Sequence, residues 1–280
     1  MRILDTREIE EAVCRLFLKA NRYLPMDVKK ALQTAHVKEE NPRAKVLLSQ
    51  LCENFAIAEE TGLPICQDTG MAVVFIDLGQ EVSLTGDLLE TAVNKGVRRA
   101  YEEGYLRKSV VADPLLRENT GDNTPAVIYL RLVEGSQVRI VAAPKGFGSE
   151  NMSTLHMFTP AATKQDILDF VVNTVKNAGG NPCPPVTVGV GIGGTMEMAA
   201  LLAKRALLRP LDQRHPHPFY AEMEEELLCL LAETGVGPQG MGGRATALGA
   251  AIETYPTHIA GLPVAVNMGC HAARHAEETV

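Results

Sequence analysis

The 280-residue sequence has no apolar run long enough to span a membrane, no internal repeat, no low-complexity tract and no obvious flexible linker. These absences argue against a chain of membrane-spanning helices, a solenoid or a string of tethered modules. The amino terminus, MRILDTREIEEAV, is charged and has no apolar core ahead of a small-residue cleavage site, so no secretory signal is read there. Positive charge is also short: 27 Lys and Arg stand against 34 Asp and Glu, a formal net charge of −7. A general attraction to nucleic acid or anionic membrane is thereby disfavoured, and an anionic substrate has to meet a local cluster of Arg or Lys. The expected setting is the cytoplasm, with neither nucleic acid nor membrane as partner.

What is present is an ordinary globular composition, 46% hydrophobic and 22% charged. The length suits one large core or two modest ones. A single domain over residues 1–280 is expected, and the proline-rich RPLDQRHPHP is the best candidate boundary if the chain divides.

Periodicity supplies the elements. Asp5 and Glu8 read as a helix start, followed by Ile9, Val13, Leu16, Phe17 and Ala20 at helical spacing. AKVLLSQLCENFAIAEE reads as a second helix, ended by Gly62 and Pro64. MAVVFIDLG reads as a strand, DLLETAVNKGVRRAYEEG as an amphipathic helix, and PAVIYLRLVEGSQVRIVAAP as two strands joined around Glu134, Gly135 and Ser136. KQDILDFVVNTVKNAGG predicts a helix, NPCPPVTVGVGIGG a turn, a strand and a glycine bend, and TMEMAALLAKRALL a helix over 195–208 that begins near Cys183. PHPFYAEMEEELLCLLAETG predicts a helix with an acidic first turn and a solvated acidic face. The fold class is therefore α/β, with mixed sheets and packed helices.

The six cysteines fall into two groups. Cys14, Cys52 and Cys229 lie within helical patterns, where a thiol behaves as a small hydrophobe packed against neighbours. Cys66, Cys183 and Cys270 lie in turns marked by Pro or Gly: LPICQDTG, GGNPCPPVT and VNMGCHAAR. In a chain with no secretory signal, such thiols point to metal binding ahead of disulfides. Three thiolates leave one coordination position for water or substrate, the arrangement that metal-assisted catalysis requires. A zinc site of three cysteines with His271 and an iron-sulfur cluster with one open iron both satisfy this chemistry. His215 and His217, in a proline loop, read as solvent-exposed, and the glycines of GVGIGG as points of close backbone approach.

Four segments, LPICQDTG, NTGDNTPAVIY, APKGFGSENMS and NPCPPVTVGVGIGGTMEMA, together resemble the alpha subunit of the class I iron-sulfur fumarate hydratase and L-tartrate dehydratase family, over nearly the whole chain. The resemblance implies that Cys66, Cys183 and Cys270 hold a [4Fe-4S] cluster whose fourth iron acts as Lewis acid in the reversible hydration of fumarate to L-malate. It implies substrate contacts from Gln67, Asp68, Arg107 and Gly148, with Asp68 also moving or orienting a proton. KGFGSENMS carries Phe147 where many members have glycine. In the family, the general base and further cations come from a second region. Because this chain stops at Val280, soon after Cys270, the resemblance implies a separate beta subunit, two of each chain in the assembly, and a small dicarboxylate substrate. The rival readings are an L-tartrate dehydratase alpha subunit and a non-catalytic, zinc-stabilised interaction subunit.

Overall fold

The computed structural model describes residues 1–280 and is a mixed α/β protein. In chain order its elements are β1 (Arg2–Asp5), α1 (Thr6–Arg22), α2 (Met26–Lys38), α3 (Pro42–Thr61), β2 (Met71–Gly79), β3 (Val82–Thr85), α4 (Leu89–Glu103), β4 (Val127–Val133) and β5 (Val138–Lys145). There follow α5 (Phe147–Glu150), β6 (Thr154–Phe158), α6 (Lys164–Ala178), β7 (Val186–Gly193), α7 (Met196–Ala206), α8 (Pro218–Glu233), β8 (Ala247–Tyr255), β9 (Leu262–Gly269) and β10 (Ala276–Thr279). No helix is long and apolar enough to cross a membrane.

The chain divides into two compact units, one of residues 1–25, 55–147 and 274–280, the other of residues 26–54 and 148–273. The proline-rich segment 209–218 lies wholly inside the second unit and marks no division.

In the first unit the sheet order is β10-β5-β2-β4, with β2 parallel to β4 and antiparallel to β5. The two strands read on either side of Glu134–Ser136 are therefore not partners, because β2 lies between them. The connection crosses the end of β2 at Gly79, where a side-chain carbon would come within 2.4 Å of the Gly135 carbonyl. Asp5 caps α1 by accepting from the Arg7 N–H at 2.9 Å. Ile9, Val13, Leu16, Phe17 and Ala20 of α1 are all buried with Val93, Val97 and Tyr101 of α4 over Val74, Ile76 and Ile140. The helical periodicity thus identified this core correctly.

In the second unit the order is β6-β9-β7-β8, with β7 antiparallel to β9 and parallel to β8. A reciprocal Thr163–Asp166 capping box opens α6. The two faces of β7 divide by residue size. Val186, Val188, Val190 and Ile192 pack against α6 and α8. Gly189 and Gly191 instead leave room for the backbone of α7: a side-chain carbon at either would lie 2.1 Å from the Ala203 carbonyl or 2.0 Å from that of Ala199. The glycine bend lets α7 turn back over the sheet, but this helix starts at the far end of β7 from Cys183, about 26 Å away at ordinary strand rise. Its C-terminal end is the one that returns toward the Cys183 side, contrary to the sequence-based expectation.

Two readings of the acidic segment also change. Helix α8 starts at Pro218, so its first turn carries no acidic residue, and the His217 ring caps it by accepting from the Phe219 N–H at 3.3 Å. Glu224 is not on a solvated face but completely buried at 0% exposure. Its carboxylate pairs with Arg209 and accepts from the backbone N–H groups of Ile252 at 2.8 Å and His215 at 3.0 Å.

Candidate active site

None of the six cysteines is in a disulfide. Cys14 is buried in α1, and Cys52 is partly buried in α3. Burial pushes both thiols above their ordinary range, aided at Cys14 by the Glu103 carboxylate. Such thiols stay protonated and unreactive. Cys229 departs from the expected packing role: it is exposed on α8. The three turn cysteines, Cys66, Cys183 and Cys270, are each half-buried.

In the first unit, residues 66–70 form a loop between α3 and β2. Its carbonyls are gripped one after another. The Arg274 guanidinium donates to the Asp68 carbonyl. The Tyr101 hydroxyl lies 2.8 Å from both the Thr69 and the Gly70 carbonyls, and the Asn123 amide donates to the latter at 3.2 Å. Burial raises the Tyr101 phenol well above its usual range, so it remains a donor. Gly70 has φ +77°, and a side-chain carbon there would strike the Lys145 backbone at 2.7 Å. Only glycine fits that turn.

The Asp68 carboxylate is held from two sides. It accepts from the Gly70 N–H at 3.0 Å and from the Phe147 N–H at 3.0 Å, which joins the cysteine loop to the KGF segment after β5. The contact uses the backbone of residue 147, so the Phe147 side chain does not remove it. At Gly146, by contrast, a side-chain carbon would sit 3.2 Å from the same carboxylate. Gln67 is exposed beside Cys66, whose thiol donates to its amide oxygen at 3.5 Å. The Thr69 hydroxyl donates to the Arg107 carbonyl at 3.2 Å, which brings the YLRKS segment against this loop with the Arg107 side chain exposed. The second YLR segment behaves differently, since Arg131 is spent on a bidentate pair with Asp77 at 2.9 and 3.0 Å. Cys66, Gln67, Asp68 and Arg107 therefore share one neighbourhood.

In the second unit, Cys183 precedes β7 and Cys270 follows β9, and the antiparallel register pairs Thr187 with Gly269. The two cysteines thus lie at the same sheet end. The His271 N–H donates to the Cys183 carbonyl at 3.2 Å, and the His271 ring nitrogen Nδ1 lies 3.1 Å from the same oxygen. That ring nitrogen is engaged with backbone, which weakens the reading of His271 as a metal ligand through Nδ1. Cys183 has φ +54°, a left-handed conformation that is costly for a residue with a side chain and concentrates at functional sites. Gly148, exposed at the start of α5, lies close to the Asn181 carbonyl in the turn before Cys183. His215 and His217 bond to each other and to the start of α8.

Nowhere do three His, Cys, Asp or Glu side chains gather closely enough to hold one metal ion. Cys66, Cys183 and Cys270 each offer a thiol outside any disulfide, the donor type that both iron-sulfur clusters and zinc accept. Two site residues escaped sequence reasoning: Tyr101 and Arg274 sit in a helix and beyond the last cysteine, and only their contacts with residues 68–70 mark them.

Comparison with known families gives a match to fumarate hydratase (Fumerase) over residues 10–279. A Methanocaldococcus jannaschii protein described as a candidate L(+)-tartrate dehydratase subunit alpha is 43% identical over 277 residues, covering 96% of both chains. The L(+)-tartrate dehydratase subunit alpha of Escherichia coli K12 is 30% identical over 270 residues, covering 95% of this chain and 89% of its own.

Proposed function

The chain belongs to the fumarate hydratase (Fumerase) family, and on that premise we propose that residues 1–280 form the cluster-bearing alpha subunit of a hydro-lyase that interconverts fumarate and L-malate. The observation that carries this reading is the shared neighbourhood of Cys66, Gln67, Asp68 and Arg107: a thiol, an amide donor, a fixed carboxylate and an exposed guanidinium.

In this reading Cys66, Cys183 and Cys270 hold a [4Fe-4S] cluster. When bound, it supplies a Lewis acid for the hydroxyl group that is added or lost. Arg107 offers a two-pronged donor to one substrate carboxylate, the geometry in which guanidinium is most selective. Gln67 adds an amide hydrogen bond, and the backbone at Gly148 adds an N–H. Asp68 keeps lone pairs beyond those taken by the Gly70 and Phe147 N–H groups, and these hold or orient a proton beside the hydroxyl. The two backbone donors keep the carboxylate in one orientation, so the proton is presented at a fixed place.

The remaining base and cations come from a beta subunit, in an assembly of two alpha and two beta chains. A cytoplasmic location accords with six cysteines outside disulfides.

A second reading, L-tartrate dehydration, is favoured by the names of both relatives. The two substrates share the dicarboxylate frame and the departing hydroxyl. The deciding experiment is anaerobic purification with the beta partner, iron and sulfide analysis, and assay on fumarate, L-malate and L-tartrate. Turnover of fumarate and malate is expected. Turnover of tartrate alone would move the assignment to the second reading, and a colourless, zinc-loaded, iron-free protein would remove both.

A further inference from the structure

Arg274 is 6% exposed, yet its guanidinium has one partner among its donors, the Asp68 carbonyl. Its Nε and Nη1 are buried and have no hydrogen-bond partner. A guanidinium cannot shed its charge, and a buried charge without an anion is among the most expensive arrangements a fold can hold. The Asp68 carboxylate makes no bond to it: its partners are the Gly70 and Phe147 N–H groups. Tyr101, whose hydroxyl lies on the next two carbonyls of the same loop, is held as a neutral phenol by burial. Because the unpaired nitrogens are closed to solvent, a diffusing dicarboxylate does not reach them. The one contact the guanidinium does make is with the 66–70 loop, at the Asp68 carbonyl.

Resting on the cluster reading above, we infer that Arg274 is a positioning residue and buried counter-charge for the cluster-bearing loop. It fixes the Asp68 carbonyl and offsets the negative charge that accumulates when Cys66 becomes a thiolate bound to iron and sulfide. Tyr101 and Asn123 grip the next two carbonyls without charge, so Arg274 is the member of the trio whose removal changes the electrostatics of the loop as well as its shape. Reduction potentials of such clusters respond to local charge and hydrogen bonding, and removing a nearby cation lowers them.

The test uses the full chain, reconstituted anaerobically with iron and sulfide, as wild type, Arg274→Met and Arg274→Lys. Methionine keeps the length and apolar stem but not the charge, and lysine keeps the charge. Retention of iron against a chelator is expected to fall about 10- to 100-fold in the methionine variant and to recover in the lysine variant. The reduction potential should shift lower in the methionine variant alone. Before loading, that variant should melt no lower than wild type, because an isolated buried charge has been removed. Equal retention in methionine and wild type would overturn the inference. So would equal losses of retention and unloaded stability in both variants, the behaviour of a residue that merely packs. A wild-type chain that takes up no iron and sulfide would sink the cluster reading together with this one. A loaded chain that stays inactive on fumarate and tartrate when assembled with its beta partner would sink the assigned activity alone.

Discussion

A carboxylate that is buried and still ionised has to be surrounded by donors, and Glu39 is held that way. It is 4% exposed and accepts from the N–H groups of Glu40, Asn41, Arg244 and Ala245 at 2.9–3.1 Å. Burial pushes its pKa up, but the four donors outweigh burial and hold it below the ordinary 4.5. The folded state then prefers the ionised form, so the stabilisation is present above the ordinary carboxylate pKa and is lost as pH falls through and below it. Glu39→Gln should cost about 1.5–3 kcal/mol near neutrality, in line with hydrogen bonds to a charged group. Its melting temperature should converge on that of wild type in acid. Parallel melting curves from pH 7 to pH 3 would contradict this account. The cysteines give a second comparison at this scale. Cys66→Ser should abolish cluster loading, whereas Cys229→Ser, at an exposed position on α8, should leave both loading and stability unchanged. Iron and sulfide content measures the first and thermal melting the second.

At the scale of elements, the contact of α7 with β7 depends on the absence of side chains. Gly189 and Gly191 face Ala199 and Ala203, and the helix backbone occupies the space that side-chain carbons would need. Gly191→Ala should destabilise the protein by about 1–3 kcal/mol or more, as overpacking in a rigid core does. Denaturant unfolding measures the loss, and an unchanged midpoint would show that α7 can shift to make room. Long periodic elements were readable from sequence, and α1, β2 and β7 lie where their patterns place them. Strands β1, β3, β6, β8 and β10 were not read. Several are only four or five residues long, and β8 is rich in alanine and glycine, which signal no strand. Glu224 was misread because an acidic run looks solvated until Arg209, on a different segment, is placed against it.

At the scale of the whole molecule, two separate hydrophobic cores each carry part of the proposed chemistry: Cys66 with its substrate contacts in one unit, Cys183 and Cys270 in the other. A cluster held by three thiolates leaves one iron without a protein ligand and accessible to oxidants. Activity of the assembled alpha and beta chains should therefore fall on exposure to air and return in part with iron and a reductant. Undiminished activity after prolonged aeration would contradict the cluster reading.

Periodicity and turn residues are local signals, and they were enough for the class of fold, most of the longer helices though not α2, and the separation of turn cysteines from helix cysteines. The sequence also carried the resemblance that links LPICQDTG to dicarboxylate chemistry. What surrounds that loop follows from the folded chain. Asp68 meets Phe147 across the first unit, Arg274 grips the Asp68 carbonyl from near the end of the chain, and His271 ties Cys270 to Cys183. These pairings join residues far apart in sequence, and nothing in local composition encodes which distant donor a buried carbonyl or carboxylate will find.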